Sequence, residues 1–433
     1  MKKLQWHTIQ KRVNDLIPQE VNPRVISNKQ MEDLKKSIKK MNLVEIPAID
    51  FNGKILAGHQ RVKALRLLGR GNEMIDVRVP NRQLTKEESK RYLIASNALG
   101  GDWDFESLKS FELELLTDIG FDQIELSKIW DENLETEEDD FDDEKELAKI
   151  KRTNIRQGDL FLLGRHRLIC ANSLDSQSVQ ALMGDVKADM INDDIPFNIG
   201  LNYDKGVGNK KSYGGTIDDN KTDEEYKIFV KTIIQNALSV TKKDAHVMFF
   251  CDERYVWLLQ TIYKEFGIDS KRLLVWIKNN SSPTPTNAFN KVTEFIVYGT
   301  IGFPYLSKLY LNFNEIQNNE MSTGNNLLEE ITDQLNIWMV KRLPTNQYLH
   351  PTTKPASLHY KALRRCTRVG DVVLDLTAGS GSILVACEQL KRIACLAELE
   401  PIFCQLIINH YEKLSGKKAK LIKNIYEEAQ STK

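Results

Sequence analysis

Six cysteines, at positions 170, 251, 366, 387, 395 and 404, are scattered through 433 residues with no CxxC pair and no cysteine–histidine ligand spacing. That scatter argues against a structural zinc and fits reduced thiols, so the expected location is the cytoplasm. No apolar run approaches the ~20 residues of a membrane span, and no membrane partner is expected. The first residues, MKKLQWHTIQKRV, are basic but have no apolar stretch behind them, so no secretory signal peptide is expected there. There are no internal repeats, and the nearest approach to low complexity is the asparagine-rich stretch 312–326. What remains, 41% hydrophobic and 28% charged residues, is the composition of an ordinary globular chain of two or three domains.

The formal net charge of zero conceals a division. Residues 131–146 (DENLETEEDDFDDEKE) hold 11 acidic side chains and one lysine, leaving 59 basic and 49 acidic residues elsewhere, a net of +10. Like charges at that density repel one another, so 131–149 reads as a solvated acidic linker between an N-terminal domain, 1–130, and a larger one, 150–433. The basic excess suits a polyanionic partner, because each neutralised phosphate releases counterions.

In the smaller domain, Met31–Met41 has helical apolar spacing. Val44–Ile49 and Lys54–Ala57 read as strands around the Asn52-Gly53 turn, and Gly58–Leu68 opens a further helix. The larger domain alternates short apolar strands with helices. The strands are Leu160–Leu163, Leu168–Cys170, Ala188–Ile191, Ala245–Cys251, Arg272–Ile277, Glu294–Tyr298, Val372–Leu374 and Ile393–Ala397; the helices include Asp223–Val240 and Ile383–Leu390. That alternation predicts an α/β fold with a mostly parallel, doubly wound sheet, which binds ligands at the carboxyl ends of its strands.

The segment 371–400, DVVLDLTAGSGSILVACEQLKRIACLAELE, runs strand, small-residue turn, helix, strand, acidic residue. Gly379 and Gly381 let backbone N–H groups approach a ligand at a helix N-terminus, and Glu398 is placed to accept from both hydroxyls of a ribose. This is the pattern of a nucleoside-cofactor site. The turn Asp375-Leu376-Thr377-Ala378-Gly379-Ser380-Gly381-Ser382 resembles the DPFAGSGT motif of amino-group DNA methyltransferases, with Thr377 at the usual Phe position. His350-Pro351-Thr352-Thr353-Lys354-Pro355 resembles the HPTQKP motif of that family, which implies Lys354 near the methionine carboxylate of S-adenosylmethionine. Asn172, in Cys170–Asp175, stands where the CGDSTD motif has Asp, and is expected near the adenosyl end.

The segment 188–200, ADMINDDIPFNIG, resembles the family's catalytic motif ADLVFTDPPYNVG. Asp194 takes the catalytic Asp position, Ile195 the first Pro, Pro196 the second and Phe197 the Tyr. An exocyclic base amine is a poor nucleophile because its lone pair is delocalised into the ring. Acceptors on both amino hydrogens, Asp194 and the Ile195 carbonyl, hold the nitrogen nearer to tetrahedral. The target base must be flipped out of the duplex and stacked on an aromatic face, for which Phe197 is the candidate. Catalytic motif before cofactor motif resembles the β-type order of this group, a Rossmann-like methyltransferase fold, over most of residues 155–412.

The expected partner is double-stranded DNA. Lys205, Lys210 and Lys211, in the loop after the catalytic strand, are candidate phosphate contacts, and 300–349 is the candidate target recognition region. Asn22-Pro23-Arg24 and Gly58-His59-Gln60-Arg61 resemble the boxes of the ParB/sulfiredoxin-like fold. They imply a small α+β domain with a DNA-associated role in which Arg61 contacts nucleic acid. The resemblance implies methylation of adenine at its exocyclic amine, since Asp at the first catalytic position goes mostly with adenine. Cytosine amine methylation, an RNA substrate, and a DNA-bound adaptor that has lost catalysis are the alternatives.

Overall fold

The computed structural model describes residues 3–19, 24–26, 28–96, 102–131, 141–200, 219–282, 289, 291–307, 316–317, 326–327, 336–340 and 354–427. The chain divides into two compact units, Met1–Asn133 and Leu134–Lys433. No helix among the described residues is long and apolar enough to cross a membrane.

The first unit carries a four-stranded sheet ordered Trp6–Arg12, Met74–Pro80, Ala48–Ile49, Ile55–Ala57, with helices Asn28–Met41 and His59–Leu67. Its core gathers Val13, Leu16, Ile38, Ile55, Val62, Leu65 and Val77. The strand expected from Val44 begins only at Ala48, and Val44 itself is exposed. Pro47 joins the sheet by its carbonyl alone, accepting from the Arg78 N–H at 2.8 Å, because it has no N–H to donate.

Ten strands form the sheet of the second unit: β1 (Asp159–Leu163), β2 (His166–Cys170), β3 (Ala188–Asp193), β4 (Thr241–Cys251), β5 (Asp269–Ser282), β6 (Lys291–Ile301), β7 (Ile337–Met339), β8 (Val372–Asp375), β9 (Ile393–Glu398) and β10 (Lys420–Asn424). Their order is β7-β5-β6-β4-β3-β8-β9-β2-β1-β10. The central block β4-β3-β8-β9-β2 is parallel throughout, whereas β6 and β1 pair antiparallel with their neighbours. The central strands are buried on both faces, which is why they read as continuous apolar runs. The helices are α1 (Asp143–Lys149), α2 (Ser176–Met183), α3 (Asp223–Ser239), α4 (Val256–Glu265), α5 (Ala356–Cys366), α6 (Ser382–Gln389) and α7 (Pro401–Ser415). One face of the sheet packs on α5, α6 and α7, and the other on α2, α3 and α4.

From β3 the chain crosses through α3 to β4 on one side, and from β8 through α6 to β9 on the other. The crossovers diverge between β3 and β8, so a crevice opens at their carboxyl ends, the switch point where such sheets bind ligands.

Two expectations change. The acidic stretch is not a solvated linker to its end, because Asp142 caps α1 and the helix packs on the second unit. Phe141, Leu147 and Ile150 lie against Phe403 and Leu406, and the Phe141 ring stacks on His410 at 3.9 Å. Three apolar side chains among the charges are enough to dock it. The region 300–349 is also not wholly separate from the large sheet. Residues 337–339 form β7, parallel to β5, and Trp338 and Val340 join the core. Most of the rest of that region lies outside the described residues.

Replacing Phe141 by alanine is expected to destabilise the second unit by about 1–2 kcal/mol, a partly buried aromatic's share of apolar area. Differential scanning calorimetry of the full chain reads this as a melting temperature lowered by a few degrees. An unchanged transition would mean that the segment is free of the core.

Candidate functional site

The turn after β8 enters α6 through Gly379 and Gly381, with φ of 54° and 83°. The two glycines serve different needs. A Cβ on Gly381 would meet Ile407 Cγ1 at 2.8 Å, so glycine there lets α6 and α7 close together. Gly379 has nothing nearer than the Thr377 carbonyl at 4.0 Å, so its left-handed backbone, on the cleft wall, is what requires glycine. Its N–H donates to Glu398 Oε2 at 2.8 Å, and the Glu400 N–H donates to Oε1 at 2.8 Å. Glu398 therefore does not stand free for a ligand, but each carboxylate oxygen keeps a second acceptor position. Burial pushes its pKa up to about 7.

Thr377, at the position where the resemblance places Phe, donates its hydroxyl to Asp193 Oδ1. Asp193 also accepts from the Leu376 N–H at 3.2 Å, and Asp375 accepts from the Thr377 N–H at 3.0 Å. The turn is thus tied to the end of β3 by an acidic side chain and a hydroxyl. Burial, with the Asp194 charge beside it, raises the pKa of Asp193, and burial, with the Asp193 charge beside it, raises that of Asp375.

Asp194 follows β3 directly. Its Oδ2 accepts from Lys354 Nζ at 2.7 Å, and Lys354 also lies 3.1 Å from Glu294 Oε2. Lys354 is expected beside a cofactor carboxylate; in the structure it is paired with the chain's own carboxylates, since a buried ammonium needs counter-charge at hand. Burial lifts the Asp194 pKa to about 6 against the pull of Lys354. Its Oδ1 is buried without a hydrogen-bond partner among the described residues. Phe197, expected to present a face to a flipped base, is only 6% exposed, and Lys354 Nζ sits 4.9 Å from its ring centre. That face is already occupied. The Ile195 side chain is buried, and the Pro196 carbonyl accepts from Tyr226 Oη at 2.8 Å, which anchors the segment on α3.

One cleft brings together Asn172, Asp194, Pro196, Lys354, Asp375, Thr377, Gly379, Ser380 and Glu398. Ile195, Phe197 and Gly381 lie behind its wall. Asn172 holds an Asx-type turn, its Oδ1 accepting from the Leu174 N–H at 2.9 Å, a role its amide fills as well as a carboxylate would. The cleft also includes Ser382, the last residue of the glycine-turn motif, and Phe229, His359, Leu399 and Phe403, which no motif marked as site residues. His359 bridges Ser382 Oγ at 3.0 Å and Asn192 at 3.3 Å, and burial lowers its pKa to about 3, so it is neutral. Lys205, Lys210 and Lys211 lie outside the described residues. Arg61, in the first unit, is held by an ion pair with Glu45. Its guanidinium is thus paired within its own unit while remaining partly exposed. No cluster able to hold a metal ion occurs among the described residues.

A family model for DNA methylases matches residues 188–409, just over half of the chain. The chain belongs to this DNA methylase family. It is 22% identical to the type II methyltransferase M.HpaI of Haemophilus parainfluenzae over 239 residues, 52% of this chain and 68% of that one. Among solved structures, the M1.HpyAVI–SAM complex is 18% identical with a TM-score of 0.39, covering 55% of this chain and 96% of that one. The cytosine-N4-specific PvuII DNA methyltransferase is 14% identical with a TM-score of 0.41, covering 59% and 94%. A Pnob8-like ParB-N domain is 17% identical over 30% of this chain and 46% of that one, with a TM-score of 0.20.

Glu398 and Asp194 make the stability of this DNA methylase depend on pH. The folded chain keeps the Glu398 proton to about pH 7 and that of Asp194 to about 6, against ordinary values of 4.5 and 3.8. Within those windows the folded state binds more protons than the unfolded one, so both groups make stability fall as pH rises. Urea unfolding of wild type and Glu398→Gln from pH 4.5 to 8 is expected to show a shallower decline in the variant. Equal slopes would place Glu398 in a more polar setting.

Proposed function

We propose that this DNA methylase transfers the methyl group of S-adenosylmethionine to the exocyclic amine of adenine in double-stranded DNA. The observation that carries the reading is that Asp194 and the Gly379–Glu398 turn share one cleft wall at the switch point. An amine held at the first would stand beside a cofactor held at the second.

The donor set fits the cofactor. Glu398 retains acceptor positions for ribose hydroxyls, the glycine turn keeps one side of the cleft free of side chains, and Leu399, Phe403 and Phe229 supply apolar surface for a purine. When bound, S-adenosylmethionine supplies an electrophilic methyl group on sulfonium. The chain's own part is orientation. Asp194 Oδ1 accepts one amino hydrogen and the Ile195 carbonyl the other, which localises the nitrogen lone pair and aims it for in-line displacement. Placement of this kind supplies much of the acceleration in a two-reactant transfer, up to about 7–11 kcal/mol in favourable cases. Asp194 has to be ionised to accept, so activity should fall on the acid side of about pH 6. The adenine assignment rests on Asp at this position, as the resemblance implies.

The first unit is proposed as a ParB-like accessory domain. Its Arg61, with Lys205, Lys210 and Lys211 of the second unit, is proposed to contact DNA phosphates, the arginine exchanging its pairing with Glu45 for a phosphate.

Asp194→Ala is expected to abolish methyl transfer to unmethylated duplex DNA while leaving calorimetric cofactor binding nearly unchanged. Glu398→Ala should weaken that binding by about 1.5–3 kcal/mol, the worth of a hydrogen bond to a charged group. Turnover by Asp194→Ala would end the mechanism, and an inactive wild type would favour the adaptor. Mass spectrometry of a nucleoside digest should show adenosine methylated on its exocyclic amine; only the cytosine product would overturn the choice of base and leave the reaction class standing.

A further inference from the structure

Behind Asp194 the ion pairing continues. Lys354 Nζ reaches Asp194 Oδ2 at 2.7 Å and Glu294 Oε2 at 3.1 Å, and Lys278 Nζ reaches Glu294 Oε1 at 2.9 Å. The result is an alternating chain, Lys278–Glu294–Lys354–Asp194, with no side chain more than 18% exposed. Lys278 and Glu294 come from the neighbouring strands β5 and β6. The Lys354 ammonium lies 4.9, 5.3 and 6.0 Å from the ring centres of Phe197, Phe250 and Trp276. The far oxygen of the last carboxylate, Asp194 Oδ1, is buried on a residue of the cleft wall without a hydrogen-bond partner among the described residues.

Stability is a poor reason to keep four charges here. Removing them from water costs free energy that their attraction barely offsets, and apolar replacements of like volume are often as stable. The geometry points to a use. We propose that Lys278, Glu294 and Lys354 are positioning residues for methyl transfer, holding Asp194 by one oxygen so that the other meets the target amine. This inference rests on the reading that Asp194 receives that amine.

Each member has a separate task. Lys354 stops rotation of the Asp194 carboxylate. Glu294 shares the ammonium, so that its whole charge does not fall on Asp194 and weaken it as an acceptor. Lys278 supplies the counter-charge that keeps Glu294 ionised: burial works against that charge, and the two ammoniums outweigh it. The groups facing Asp194 are Lys354 ahead of α5, Glu294 on β6, Asp193 on β3, Asp375 on β8 and Cys251 on β4. Lys354 favours the ionised carboxylate and Glu294 disfavours it. The two neutralising substitutions should therefore act in opposite directions.

The test uses the full chain, unmethylated duplex DNA and S-adenosylmethionine. Lys354→Met should lower kcat by about 10²-fold, the cost of misplacing a reacting group. It should also move the acid limb of the kcat profile to higher pH, and Lys354→Arg should bring it back. Glu294→Gln should move the limb to lower pH. A ¹³C NMR titration of the Asp194 carboxyl should show the same opposed shifts, and cofactor affinity should stay within about twofold for Glu294→Gln and Lys278→Met, which do not line the cleft. If Lys354→Met does not fold, Glu294→Gln and Lys278→Met carry the test, since losing either charge of that pair alters the hold on Lys354. Shifts in the same direction, or none, with Asp194→Ala inactive, would overturn this proposal alone. Turnover by Asp194→Ala, or an inactive wild type, would overturn the functional reading and this inference with it.

Discussion

A lysine ammonium with a 2% exposed side chain has to be paired where it lies, and much of the geometry around this cleft follows from that need. The partners of Lys354 come from widely separated parts of the chain: Asp194 after β3, Glu294 on β6 and, one step on, Lys278 on β5. Parallel and antiparallel parts of the sheet are thereby joined at one charge. The surrounding rings of Phe197, Phe250 and Trp276 exclude water, which strengthens each pair and raises the cost of leaving one unmade. A residue that a motif would assign to the cofactor is thus the anchor of the carboxylate opposite.

The departures from the family pattern become intelligible once they are seen in space rather than one by one. Thr377 and Asp193 are both unusual, and they are hydrogen-bonded to each other. A phenylalanine at 377 could not donate to that carboxylate, and Asp193 would then lose one of its compensations for burial. Asn172 in place of Asp keeps the only feature its turn uses, a side-chain oxygen for the Leu174 N–H. Ile195 in place of Pro puts its side chain into the core shared by β3 and α3 and, like proline, still carries a backbone carbonyl. None of these changes removes an acceptor that the proposed reaction needs.

Strands were the most legible feature. The eight runs expected in the second unit all fall within observed strands, and in the central parallel block they are continuous because a strand buried on both faces must be apolar along its length. The glycine turn and its terminal glutamate were legible for a similar reason: a positive φ and a close helix approach admit almost nothing but glycine at 379 and 381. The edges were less so. Residues 337–339 carry too short a pattern to announce a strand, and only pairing with β5 makes them one. In α1, Phe141 and Leu147 sit among so many carboxylates that local composition hid their docking on α7.

The sequence by itself determined the α/β class, the order of catalytic and cofactor motifs, and the residue types able to hold an amine and a nucleoside. The class follows from periodicity and backbone conformation, which act over a few residues, and the motifs from their resemblance to the family's. Tertiary structure decided which of those side chains face the cleft and which are already engaged. Glu398 is half satisfied by its own turn, Phe197 is covered by an ammonium, and Lys354 serves Asp194. His359, Phe229 and Phe403 enter the cleft from helices that carry no motif. Burial and pairing are properties of residues distant in sequence, and no local pattern records them until the sheet brings position 194 beside position 354.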